Sequence, residues 1–267
     1  MIPASLFIAV QIPSVQTKIA QWVIGKVEPH LDGNISIDKV AIALYDRIII
    51  NNILITGTPG DTLVHIGKLS ADISAGDFLR GRFYFDRVYI EDGIFHYIEE
   101  GSKEFSNITR IFKIDRSARN KSPEKSSFPH IKVDELRINN YGFHYVDCRP
   151  PKGPVASGCM DYTNIVVSKI TGRFHNFEVV DGAIEADIKS LAATEKCGIE
   201  LRYLTGHIRF ADRTIMVNDI YLKDNYTTLI ANYLSFSAIA GKGSIKDFLR
   251  KIALGVDFKE TFLDFRT

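Results

Sequence analysis

The side chains able to do chemistry are few, and their spacing does not assemble them. His96 and His144 each sit in a Phe-His-Tyr tripeptide, at equivalent places in two copies of one motif. A general acid or base is ordinarily a single residue with a tuned pKa, so the pair reads as structural. Glu99, Glu100, Asp86 and Asp134 fall in alternating segments and read as solvent-face charges on strands. Ser70, Ser102 and Ser168 have no histidine and aspartate placed around them to activate a nucleophile. Cys148, Cys159 and Cys197 lack metal-ligand spacing. Cys148 and Cys159 bracket a Pro- and Gly-rich loop, so they are either ordinary thiols or a disulfide formed in an oxidising compartment. No G-x-S-x-G, H-E-x-x-H, phosphate-binding loop or dinucleotide fingerprint occurs. The expectation is a protein without catalytic residues, cofactor or metal.

Charge removes another class. With 33 basic against 32 acidic residues and a formal net charge of +1, the chain has no electrostatic footprint for nucleic acid. The 17 Phe, 11 Tyr and single Trp interleave with aliphatic residues, which favours packing over base stacking.

What the chain does have is a repeat. Residues 85–99 lie over residues 133–147 without a gap, each position shifted by 48. Val88/Leu136, Ile90/Ile138, Phe95/Phe143, His96/His144, Tyr97/Tyr145 and Glu99/Asp147 agree in type or identity. A looser echo relates residues 50–55 to residues 217–222. Such repeats build arrays in which each unit buries its apolar face on the next. Each copy of the longer repeat is expected to form a strand–turn–strand hairpin, with turns near Asp92-Gly93 and between Asn140 and Gly142.

Around the repeat the period is two. Alternating segments run through residues 35–44, 47–55, 63–73, 82–89, 93–99, 133–138, 142–148, 165–177, 183–188, 198–203, 206–210, 214–222 and 228–236, punctuated by Gly, Asn, Asp and Pro. Many short strands with few helices predict a meandering antiparallel sheet rather than βαβ units. Residues 76–80 read as a short helical insertion, and residues 115–127, rich in Ser and Lys, as a flexible linker.

The ends have their own patterns. Residues 2–10 are apolar but far short of the ~20 needed to span a bilayer. An amphipathic helix is expected to follow, opened by Pro13 and Ser14, with Ile12, Val15, Ile19, Trp22, Val23 and Val27 on one face. The segment reads either as the remainder of a transmembrane anchor or as a buried N-terminal helix. Near the other end, Ser244 to Asp247 predicts a helix carrying Ile245, Phe248, Leu249 and Ile252, before alternation resumes at Val256. The division expected is a truncated anchor and amphipathic helix over 1–30, a first β-repeat unit over 31–114, a linker over 115–128, and a second, unfinished β-repeat unit over 129–267.

In its order of elements, the chain resembles the N-terminal part of AsmA/TamB-type envelope proteins, and in particular the translocation and assembly module TamB versions of the Bacteroides group. The resemblance rests on the amphipathic helix, the run from Ile35 to Ile42, Ile50 to Ile55, Gly60 to Ile73 and Phe78 to Ile90. It implies a mainly β fold, a repetitive antiparallel sheet curling into an open groove. It also implies an inner-membrane anchor through the N-terminal helix, a periplasmic location, phospholipid as cargo, and an outer-membrane BamA/TamA-like partner. Side chains alternate between the two faces of a strand, so a curled sheet can line a trough with apolar groups. Val88, Ile90, Leu136 and Ile138 are the expected lining. The alternative from a different class is a surface or secreted β-repeat adhesin or glycan-binding module.

Overall fold

The computed structural model describes residues 25, 32–43, 47–57, 61–73, 82–100, 105–111, 130–148, 153, 155–156, 158–180, 183–211, 214–238 and 252–262. The expected N-terminal helix lies outside the described residues apart from Gly25, which is helical, and the linker over 115–128, the insertion at 76–80 and the segment from Ser244 to Lys251 lie outside them altogether.

The strands are β1 (Asn34–Ala43), β2 (Arg47–Thr56), β3 (Thr62–Ile73), β4 (Phe83–Glu100), β5 (Phe105–Ser106), β6 (Ile131–Asp147), β7 (Asn164–Val180), β8 (Ala183–Glu195), β9 (Glu200–Ala211), β10 (Thr214–Lys223), β11 (Thr228–Ala238) and β12 (Ile252–Phe262). All lie in one open sheet, ordered β1-β2-β3-β4-β6-β7-β8-β9-β10-β11-β12, with β5 pairing off this path on β4. Every neighbouring pair is antiparallel except β4 and β6, which run parallel. A parallel pair needs a crossover. The crossover begins with β5 and the short helix α1 (Asn107–Ile111). Strands from the expected first and second β-repeat units thus belong to the same sheet.

The repeat is the register of that parallel pair. Phe85 sits opposite Val133, Val88 opposite Leu136, Ile90 opposite Ile138, and so on to Glu99 opposite Asp147, always 48 apart. Equivalent side chains stack on one another: Phe95 on Phe143 with ring centroids 5.9 Å apart, and Tyr97 on Tyr145 at 5.9 Å. His96 meets His144 edge-on at 5.3 Å.

The hairpin expectation is corrected. Each repeat copy is one long strand, and Gly206, also expected to start a new strand, lies inside β9. Asp92 and Asn140 do take left-handed backbone (φ 53° and 52°), but they bend the strand without reversing it. The β4–β6 ladder steps from Glu91/Asn139 to Gly93/Tyr141, leaving out the pair between them. The same interruption falls at Asp38 and Asn52, at Gly67, at Gly206, and at Asp219 and Asn232. Asn52 and Asp219 also have positive φ, which makes the looser echo at residues 50–55 and 217–222 a shared bend. These positions form a crease running across the sheet, where Asn52, Asp92, Asn140 and Asp219 take left-handed backbone, a conformation Asn and Asp adopt at low cost, and where Lys169 on β7 takes it too, at φ 54°. Side-chain bonds tie it together: Asn52 Nδ2 donates to Asp38 at 2.8 Å, Asn140 Nδ2 to Asp92 at 2.5 Å, and Asn232 Nδ2 to Asp257 at 2.8 Å.

A bend of this kind resets the alternation of faces and sharpens twist. Val217 and Ile220, three residues apart with Asp219 between them, are both buried in one apolar cluster for that reason.

An apolar sheet face as candidate functional site

Side chains directly opposite each other on neighbouring strands share a face, so the ladder registers can be read as rows across the sheet. One row runs Val40, Ile50, Leu69, Ile90, Ile138, Gly172, Leu191, Leu204, Leu222, Leu229. It crosses ten strands and contains no polar side chain. At about 4.8 Å per strand it is roughly 40 Å long. A second row beside it runs Ile48, Ala71, Val88, Leu136, Phe174, Ile188.

The four expected lining residues fall in these rows, Val88 with Leu136 and Ile90 with Ile138, and all four belong to one apolar cluster. Their burial differs. Val88 and Leu136 are buried beside Ala71 and Val133, whereas Ile90 and Ile138 keep part of their surface open. Leu191, Leu204, Leu222 and Leu229 are also half-open. Single-strand reasoning missed these, since their membership in the row depends on cross-strand register. The row from Ile184 through Phe210, Ile215 and Phe236 to Leu254 is the most open part of the face.

A short helix covers part of the apolar face. α1 lays Ile111 against Ile35 and Leu63, and both Ile111 and Leu63 are wholly buried. Asn107 holds α1 down: its Oδ1 accepts from the Ile98 and Ile108 amides, and its Nδ2 donates to the His96 carbonyl at 2.8 Å. Arg110, on the same helix, pairs with Asp61.

The opposite face carries charge in a matching row. Arg47, Asp72, Arg87, Glu135, His175, Asp187 and His207 follow one another strand by strand. Asp72 contacts Arg47 at 2.5 Å and Arg87 at 2.7 Å, and Glu135 contacts Arg137 and Arg173 at 2.7 Å. Asp187 contacts His207 Nδ1 at 2.8 Å. The Arg47 hydrogen bond, aided by Arg87, holds the Asp72 carboxyl below the usual carboxylate range. The sheet is therefore two-faced: aliphatic on one side, crossed by a row of ionisable side chains on the other.

The chemically suggestive residues are accounted for structurally. Burial, with His144 second, keeps His96 below its ordinary pKa, which favours the neutral ring inside the stack. Tyr145 Oη donates to the buried Glu99 carboxylate at 3.3 Å. All three cysteines are thiols, and a hydrogen bond to Glu195 raises the pKa of Cys197. Cys159 and Cys197 line a cavity of about 590 Å³ with Asp147, Asp161 and Glu195 at one end of β8. Among the described residues no group of three or more His, Cys, Asp or Glu could hold a metal ion, and no helix is long and apolar enough to cross a membrane.

The fold and the two-faced sheet define a class: mainly β, one long open sheet with an apolar face. Neither the known protein-family models nor the curated proteins contain a match to this chain.

Proposed function

We propose that this chain is part of an envelope scaffold that shields acyl chains in its apolar trough, carrying phospholipid between membranes or assisting outer-membrane assembly. The observation that carries the reading is the ten-strand row from Val40 to Leu229. A core needs a closed layer on its apolar face, whereas an aliphatic stripe roughly 40 Å long, partly open at Leu69, Ile90, Ile138, Leu191, Leu204, Leu222 and Leu229, offers shelter to a hydrocarbon chain. Each methylene moved from water to such a surface gains about 0.8 kcal/mol, so no headgroup motif is required and none is present in the row. The resemblance to AsmA/TamB-type proteins supports the same reading and adds the rest of the proposal: inner-membrane anchorage through the N-terminal region, a periplasmic trough, and a BamA/TamA-like outer-membrane partner.

The purified chain, incubated with vesicles of mixed phospholipid and re-isolated, should carry lipid identifiable by mass spectrometry. Replacing Leu204 and Leu222 together by Asp should abolish that capture while the amides of β6 stay protected from exchange. Lipid recovered equally from the wild-type and doubly substituted chains would sink the proposal.

A further inference from the structure

We propose that Arg137 and Arg173, with Arg87 beside them, form a binding site for the phosphate monoester of a soluble ligand. The site lies on the polar face, so it stands apart from whatever the apolar face shelters. Its starting point is a like-charge pair. Arg137 on β6 and Arg173 on β7 sit directly opposite each other, an arrangement that is ordinarily destabilising. One carboxylate serves both. Glu135 Oε1 accepts from Nε and Nη2 of Arg137 and from Nε of Arg173, at 2.7–2.8 Å. The Arg137 guanidinium also lies over the ring of Tyr89, 5.3 Å from its centroid, with Tyr89 opposite it on β4.

The neighbouring triad repeats the ratio. Arg87 lies directly opposite Glu135 and shares Asp72 with Arg47. Four arginines thus meet two carboxylates, a surplus of two positive charges. The carboxylates lie low and the cations high: the Asp72 and Glu135 side chains are 6% and 17% exposed, against 45% for Arg137 and 49% for both Arg87 and Arg173. Solvent therefore meets guanidinium. Each guanidinium carries five N–H donors, and the contacts to Glu135 use two of those on Arg137 and one on Arg173. The rest remain for a ligand.

Charge and shape choose that ligand. A phosphate monoester carries roughly −1.5 to −2 charges at neutral pH and three acceptor oxygens. It matches the surplus and can bridge two guanidiniums, where a planar carboxylate engages one fork at a time. The surroundings exclude a broad anionic surface. Lys68 with Glu91, Lys132 with Asp134 and Arg209 with Glu185 are balanced pairs, and His130 balances Glu178 only when protonated. Asp187 is taken by His207, Asn176 and Lys189. His175, between Glu135 and Asp187, adds charge only when protonated. Asp86 is exposed one residue beyond Arg87, away from Arg137 along β4, and the exposed Lys39 lies four strands off on β1. The part-exposed Glu91, Glu178 and Glu185 would repel a bilayer or a polynucleotide laid across this face, but not one compact dianion between Arg137 and Arg173.

NMR titration of the full chain with phenyl phosphate tests this. The Nε–H signals of Arg137 and Arg173 should move and saturate, inorganic phosphate should compete at the same signals, and acetate should bind about tenfold more weakly. Arg173→Gln should weaken phenyl phosphate about tenfold. Arg173→Lys, which keeps the charge and loses the fork, should recover only part of that affinity, and it serves where the Gln variant does not fold. Arg209→Gln, which removes a cation already paired with Glu185, should leave binding unchanged. Equal binding of acetate and phenyl phosphate, or binding unchanged in both Arg173 variants, would overturn the proposal. So would Arg173-dependent capture by phosphatidylglycerol vesicles with no response to phenyl phosphate, since the source would then be a lipid headgroup.

Discussion

Leu136 and Ile138 lie two residues apart on the same strand and the same face, yet they should respond differently to truncation. Leu136 is 8% exposed and packs among Ala71, Val88 and Val133, with Val88 and Phe174 directly opposite it on the neighbouring strands. Truncating a buried leucine to alanine costs about 2–5 kcal/mol, depending on how far the site collapses. The two flanking residues are held by their own ladders, so little collapse is available, but the apolar face is partly open above them. That places Leu136→Ala at about 2–3 kcal/mol. Ile138 has Ile90 and Gly172 as its row neighbours and keeps part of its surface open. It has less contact to lose, and Ile138→Ala should cost about 1 kcal/mol. Urea denaturation followed by circular dichroism measures both as shifts in midpoint at constant slope. Equal shifts, or a larger one for Ile138, would refute the contrast between a buried Leu136 and a partly open Ile138.

Three further perturbations follow from the geometry. Asp72→Asn should cost about 1–2 kcal/mol by removing the carboxylate between Arg47 and Arg87, discounted because both arginines are partly solvated. Because the folded-state pKa of Asp72 is depressed, its contribution is present above the ordinary value of 3.8 and lost as pH falls through the folded value, so the Asn variant should lose less stability in acid than wild type. His96, with its pKa held below 6.5, should make the fold less stable as pH drops below that value, where the unfolded chain takes up a proton that the folded one resists; His96→Gln should flatten the fall in urea midpoint between pH ~7.5 and ~5.5. Gly93→Ala should destabilise by about 1–3 kcal/mol or more, since φ there is 152° and the added Cβ meets the His65 carbonyl and lies 2.6 Å from the Tyr141 ring. Gly142→Ala, with its nearest contact 3.2 Å away on the flexible Ile94 side chain, should cost less in the same denaturation assay.

Strand content and the repeat itself were legible in the sequence because both depend on local alternation and on type matches; that the two copies pair with each other, in parallel, was not. The 48-residue shift that aligns Val88 with Leu136 is the same shift that sets them side by side. The bends were read as turns for a physical reason. Asp92-Gly93 and Asn140 have the residue types of a tight turn, and left-handed backbone serves a turn or a bulge equally well. Which one forms depends on whether the following segment finds its partner locally or on a distant strand. Here residues 93–99 continue against residues 141–147 and part of β3. The charge row from Arg47 to His207 left no trace in local pattern, because successive members sit on successive strands at irregular sequence distance. The continuation of the apolar row through Leu191, Leu204 and Leu222 was hidden for the same reason.

Photo-crosslinking along one row and then the other tests the central claim most directly. A crosslinking amino acid placed in turn at Leu69, Ile90, Ile138, Leu204 and Leu222, all partly open, should capture phospholipid in cells expressing the chain. The same residue placed at Arg87, Arg173 and Arg209 on the charged face should capture none. Lipid adducts distributed equally over both faces, or only protein adducts along the apolar row, would contradict the account.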